Sequence, residues 1–330
     1  MRIVVHYPQL ARQILLRTDV DWDHDVMPTF ASDDEVHFDI NIPGIFISCK
    51  PCLRVGADLH WARGSNYVLS AHEVDPDIWP HFLMEDQGSV SDILSFDRGS
   101  AQHAVRVYLP PGYAENTLRR YPVLYMQDER NLFFPQEAFG GHEWHVDETM
   151  DRLDQMNALR KAIVVGVAPV DRMNDYTSPG YVDYGAFLVE VIKPRINQLF
   201  RTRTRAQDTV VMGSSLGGVV SLYLAWQYPQ VFGGAACLSS TFGFQDDLFT
   251  RIDSEPKPAI LVYLDSGWPR DNFDATNAMR DLLLSRGFRL GVDLLQFSFP
   301  QGSHDEDSWS GRIHVPFQYF FGRVWAAMRG

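Results

Sequence analysis

Basic residues are in short supply. Lys and Arg number 29 against 42 Asp and Glu, a net charge of −13 over 330 residues. A nucleic-acid binder needs cations to displace phosphate counterions, so that class is excluded. An anionic membrane surface is an equally poor partner. Cysteine is scarce too, with three in the chain. That suits a reducing compartment and no disulfide framework. The first 25 residues lack the apolar run and small-residue cleavage site of a secretory signal. No stretch reads as a membrane span. A cytoplasmic location is expected. Repeats and low-complexity tracts are absent.

What is present is globular: 45% hydrophobic and 22% charged residues. Residues 1–84 carry short β-like runs at Ile3–His6, Gln13–Thr18, Val36–Ile42, Ile45–Ser48 and Tyr67–Ser70. Turn signals such as Pro43-Gly44 separate them, so a small all-β sandwich is expected. Residues 85–102 are polar and read as a linker. From 103 to 330 the rhythm changes to strands alternating with helices. Strands are expected at His103–Leu109, Pro122–Met126, Ala162–Val167, Thr209–Met212, Gly234–Leu238, Ala259–Leu264 and Val292–Phe297. Helices are expected at Tyr184–Phe200, Leu216–Tyr228, Asp274–Arg286 and Ser308–Met328. That alternation predicts an α/β fold, a mostly parallel sheet covered on both faces.

The strongest chemical signal is Gly213-Ser-Ser215-Leu-Gly217, a G-x-S-x-G between an apolar strand and a helix-like run. The glycines allow a tight strand-to-helix turn that projects Ser215 at a helix N-terminus, where free N–H groups favour a developing anion. Leu216 would supply one oxyanion N–H. Ser214 occupies the variable position. A serine needs a base, and only His304 and His314 follow it. His304 leaves the last strand on a loop; His314 falls in the final helix. The acid should follow the strand Ala259–Leu264. Asp271 is preferred because it lies several residues past the strand end, with Asp265 and Asp274 as alternatives. It would hold the imidazole tautomer.

With these residues the sequence resembles the esterase D/enterochelin-esterase-like branch of the α/β-hydrolases. The resemblance covers about 103–325. It rests on Val107-Tyr-Leu-Pro-Pro-Gly-Tyr113, Tyr121-Pro-Val-Leu-Tyr-Met126, Asn131-Leu-Phe133, Val165-Gly-Val-Ala-Pro169, Asp171-Arg-Met-Asn-Asp-Tyr176, the serine turn, and His304-Asp-Glu306 with Trp309 and Arg312. It implies an α/β-hydrolase fold and cofactor-free ester hydrolysis on siderophore, feruloyl, sugar-acetyl or thioester substrates. It also implies a second oxyanion donor in the loop after Met126. Where relatives carry an Asp-Gly-Gln-like run this chain has Asp128-Glu129-Arg130, so the backbone of Glu129 or Arg130 is the expected donor. An acyltransferase on the same triad and a non-catalytic binding protein are the competing functions. The partner would be a small-molecule ester, carbohydrate- or siderophore-linked; a homo-oligomer is compatible with the sequence.

Phe46-Ile-Ser-Cys-Lys50-Pro and Leu59-His-Trp61 resemble a strand pair of starch-binding-type modules, with Trp22 as a further aromatic. Sugar stacking and sandwich core are both open for Trp22 and Trp61. Arg172 and Tyr176 fall on the loop side where sites form, and Trp268 and Trp309 are pocket-wall candidates. Cys49-Lys-Pro-Cys52 lacks a second pair for zinc and a following helix for redox chemistry. His142-Glu-Trp-His145-Val-Asp147-Glu is rich in ligand types but is not H-E-x-x-H. It reads as a helix start on the site's rim, and no metal is expected.

Overall fold

The computed structural model describes residues 1–8 and 13–322. The chain forms two compact units. One holds Met1–Ser89, Pro110–Arg120 and Asp151–Ala158; the other holds Val90–Leu109, Tyr121–Met150 and everything from Leu159.

In the first unit one sheet orders its strands Phe30–Ala31, Glu35–Asp39, Arg2–His6 and Asp77–Ile78. The other orders Asp21–Val26, Gln13–Thr18, Phe46–Val55 and Asp58–Trp61, with Tyr67–Ser70 also on Phe46–Val55. Ile3, Val5 and Phe38 of the first sheet share a buried cluster with Ile14, Ile47 and Leu53 of the second. This is a sandwich: alternate residues point into one core. Strands such as Asp21–Val26 (DWDHDV) escaped the sequence reading because charged residues mask the alternation. Trp22 and Trp61 are not core. Trp61 is 38% exposed, its ring 6.2 Å from that of Trp22. The Cys49 and Cys52 thiols are free and buried. Burial pushes Cys49 up to about 12 and Cys52 up to about 11, so neither is a thiolate at neutral pH.

The second unit is an α/β-hydrolase-type layer structure. Its sheet runs Ala101–Leu109, Ile163–Val167, Val123–Gln127, Thr209–Ser214, Gly234–Leu238, Leu261–Trp268 and Leu294–Pro300. Ala101–Leu109 is antiparallel to its neighbour, and the pairs that follow are all parallel. Segment 85–102 is not a plain linker. Leu94–Arg98 pairs antiparallel with Ala101–Leu109 through a turn at Gly99, whose φ is +64°. Phe96 is buried there, but Ser95 and Asp97 hide the pattern.

The helix expected from Tyr184 starts earlier, at Gly180, and runs to Leu199. It widens to a π turn over Leu188–Ile192. Pro194, two residues past that turn, has no N–H to donate back into it, which accounts for the irregularity. The expected Ser308–Met328 helix is two: Glu306–Ser310 and His314–Phe321, broken over Gly311–Ile313. Its last part lies outside the described residues. No helix among the described residues is long and apolar enough to cross a membrane.

Candidate active site

Every residue of Thr209–Ser214 is buried. Ser215 then turns at φ 54° and ψ −121°, and the helix Leu216–Gln227 begins at once. Glycine is required on both sides. A Cβ on Gly213 would sit 2.6 Å from the Gly217 backbone, and one on Gly218 would overlap Ser240 Oγ. The Ser215 N–H donates to the Leu238 carbonyl at 2.9 Å, tying the turn to the next strand. The first bond into the helix runs from Val219 N–H to the Ser215 carbonyl, so the Leu216 N–H is not spent within the helix.

The Ser215 hydroxyl meets His304 Nε2 at 3.0 Å. On the far side of the ring His304 Nδ1 is 2.7 Å from Asp271 Oδ1. His304 hangs on the loop after Leu294–Pro300, and Asp271 on the loop after Leu261–Trp268. An N–H on Nδ1 facing the carboxylate leaves Nε2 as the acceptor for the hydroxyl. The other Asp271 oxygen accepts from Ser239 Oγ at 2.6 Å and from the Gly267 N–H at 2.8 Å. Ser239 in turn accepts from Trp309 Nε1 at 3.0 Å and from Arg312 at 2.5 Å. Arg312 is buried and also pairs with Asp265 at 3.2 Å. These contacts hold the carboxylate in one orientation.

The alternatives to Asp271 are occupied elsewhere. Asp265 lies beneath, bonded to the Tyr263 hydroxyl at 2.9 Å. Complete burial pushes its carboxyl up to about 6, against the pull of Arg312 and Tyr263. Asp274 is exposed in the first turn of the helix Phe273–Ser285. His314 starts the last helix, as expected.

Ser215 opens into a cleft of about 560 Å³, lined among others by Asp128, Arg130, Phe139, Arg172 and Trp309. Asp128 sits at φ 59° and receives Arg172 in a two-pronged ion pair at 2.8 and 2.9 Å. Glu129 points away from the cleft. It is buried and pairs with Arg106 at 2.9 Å, packing where Gly166 leaves room. Burial raises its carboxyl. The short helix Glu129–Asn131 makes its first bond from Asn131 N–H, so the Glu129 and Arg130 N–H groups are unspent inside it.

Two expected pocket residues are elsewhere. Tyr176 is fully buried, in a short helix Arg172–Tyr176 that was expected as a loop. Asp171 caps that helix by accepting from the Asn174 N–H. The Tyr176 hydroxyl accepts the Asp128 N–H at 3.0 Å, so it shapes the turn rather than the pocket surface. Trp268 is half exposed and is not in the cleft that Ser215 opens into; it borders an adjoining hollow that Asp271 and His304 also line, with Pro269 and Arg270. Trp309 does line the cleft, edge-on to His304 with ring centres 5.0 Å apart. Ser239 was missed; its one signal is a hydroxyl directly after the strand Gly234–Leu238, on the edge that carries Ser215.

A family model described as "Putative esterase" matches residues 100–313. The chain belongs to that esterase family. Members of the wider set are distant. YbbA of Bacillus subtilis (strain 168) is 25% identical over 176 residues, 49% of this chain and 66% of that protein. An endo-1,4-beta-xylanase/feruloyl esterase of Xylanibacter ruminicola is 22% identical over 225 residues, 65% of this chain and 29% of that protein. The chain thus spans less than two thirds of either relative. Among solved structures, the ferric enterobactin esterase of Salmonella typhimurium superposes with a TM-score of 0.59 at 14% identity, covering 99% of this chain and 94% of that one. A ferulic acid esterase gives 0.59 at 17%, covering 71% and 98%. These establish the fold of this member of the esterase family.

Proposed function

We propose that this protein is a serine carboxylic-ester hydrolase working through an acyl-enzyme. The observation that carries the reading is the unbroken relay Ser215–His304–Asp271, at 3.0 and 2.7 Å, at the mouth of a cleft in an esterase-family fold. Ser215 Oγ attacks the ester carbonyl while His304 Nε2 takes its proton. Asp271 keeps the ring in one tautomer and stabilises the imidazolium. The Leu216 N–H and the Glu129 or Arg130 N–H face the negative charge on the carbonyl oxygen; each such donor is worth about 10²–10³ in rate. His304 returns the proton to the leaving alcohol. It then activates water, which releases the acid and restores Ser215. No cofactor takes part.

The cleft sets aromatic Phe139 and Trp309 beside Arg130. That mixture supports a small-molecule ester with an aromatic or polar acyl part, of the siderophore, feruloyl or sugar-acetyl type. Turnover of short-chain p-nitrophenyl esters by the wild type, with fluorophosphonate labelling of Ser215, is the expected result. Equal rates for wild type and Ser215→Ala would end the proposal.

A further inference from the structure

The loop leading to the helix Val146–Gln155 and the first turn of that helix carry a side-chain cluster that ester hydrolysis does not use. Glu143, His145 and Glu148 each offer one ligand atom, and these atoms lie within 4.8 Å of one another. His145 Nδ1 is 3.4 Å from Glu143 Oε1 and 3.8 Å from Glu148 Oε2.

Glu148 by itself is unremarkable, since a carboxylate suits the first turn of a helix. Glu143 is different. It precedes the helix and is only 6% exposed. Its carboxylate faces His145 through one oxygen, and the other oxygen, Oε2, has no hydrogen-bond partner among the described residues. Buried carboxylates are ordinarily paired with a cation or hydrogen-bonded. Here the groups beside it are an imidazole and a second carboxylate. A bound cation would satisfy all three.

We propose that Glu143, His145 and Glu148 hold one divalent transition-metal ion of the zinc type. Zinc takes imidazole nitrogen and carboxylate oxygen at about 2.0–2.2 Å, which sets neighbouring ligand atoms about 3.4 Å apart in a tetrahedron. The Glu143–His145 separation already meets that spacing. Glu148 is half exposed, and its Oε2 stands 3.8 Å from His145 Nδ1, a little beyond that spacing. Calcium and magnesium prefer oxygen-only ligand sets, so the imidazole favours zinc. Water would fill the remaining position.

The ion is a brace rather than a reactant. Trp144, between the first two ligands, donates its N–H to the Asn131 carbonyl at 2.7 Å, and Val146 donates to Leu132 at 3.1 Å. Asn131 lines the cleft, and the Trp144 ring lies 5.7 Å from that of Trp309. A metal here would clasp the segment that backs the cleft wall. The ligands come at i, i+2 and i+5 around His145, whose φ is +51°. That is why helix spacing rules do not detect them.

The test is calorimetric titration of the full, chelator-stripped chain with zinc ions alone, repeated with cobalt to read its visible absorption. One ion per chain is expected, with affinity falling at least tenfold in both His145→Ala and Glu148→Gln. Both residues are exposed, so the variants should fold, checked by circular dichroism. Zinc should also raise the thermal midpoint of the wild type and not of the variants. Absence of stoichiometric binding overturns the proposal. So does binding that both variants retain, which would place the ion elsewhere. Neither readout depends on ester turnover, so this inference and the hydrolase reading can fail separately.

Discussion

In the strand Arg2–His6 only Ile3 and Val5 are fully covered, whereas in Val123–Gln127 every residue is buried. The first belongs to a sandwich whose sheets each show one face to water. The second belongs to a sheet covered on both faces. The difference governs where chemistry can be assembled. Parallel strands all end at one edge, so the loops after Gln127, Ser214, Leu238, Trp268 and Pro300 deliver Asp128, Ser215, Ser239, Asp271 and His304 to one place. Antiparallel strands scatter their loops to both ends. Among the described residues the sandwich gathers no comparable relay; its Trp22 and Trp61 rings lie 6.2 Å apart, with Trp61 38% exposed.

The contrast can be attacked by substitution, starting where the largest effect is expected. Ser215→Ala should lower kcat for a p-nitrophenyl ester by about 10⁴-fold or more, as loss of a nucleophile does elsewhere. Retained turnover would mean the reacting group lies outside the serine turn. Asp271→Asn should cost about 10³–10⁴ in kcat by presenting the wrong imidazole tautomer. If Asp265→Asn costs more than Asp271→Asn, the assignment of the orienting acid is wrong. In the sandwich, Phe38→Ala should destabilise that unit by about 3–5 kcal/mol, the usual cost of emptying a buried aromatic site. Its kcat on a small ester should stay at the wild-type value. A parallel fall in kcat would show that the two units are not separable in function.

The smallest effect concerns pH. The Asp265 carboxyl is raised from 3.8 to about 6, so the folded chain holds that proton more tightly than the unfolded chain. The stability gained from the proton is complete below about pH 4 and is lost as pH climbs through 6. Asp265→Asn has no such proton. Its stability relative to wild type should therefore improve by up to about 3 kcal/mol between pH 4 and pH 7, read from urea midpoints. A constant offset between the two proteins across that range would contradict the raised carboxyl.

Much of the second unit was legible because its signals are local. A serine turn needs its glycines within a few residues, and buried parallel strands are continuous apolar runs. His304 was expected from its place on the loop leaving the last strand, and Asp271 from lying several residues past its strand end. The errors came where local pattern and tertiary role diverge. Segment 85–102 looked like a linker because the apolar side of Leu94–Arg98 is short and interrupted by Ser95 and Asp97. Tyr176 and Trp268 lie on the correct side of the sheet, yet one is buried beneath Asp128 and the other borders the hollow behind Asp271 and His304, not the cleft of Ser215.

The chain of amino acids alone determined the α/β rhythm, the glycine-flanked turn at Ser215 and the short set of residues able to serve it. These depend on contacts between near neighbours, whose period and chemistry can be read directly. Folding in three dimensions decided that Asp271 and not Asp265 reaches His304. It also brought Ser239 and Arg312 to the same carboxylate and turned Glu129 away towards Arg106. Those choices depend on strands far apart in the chain ending side by side, a geometry that no local pattern encodes.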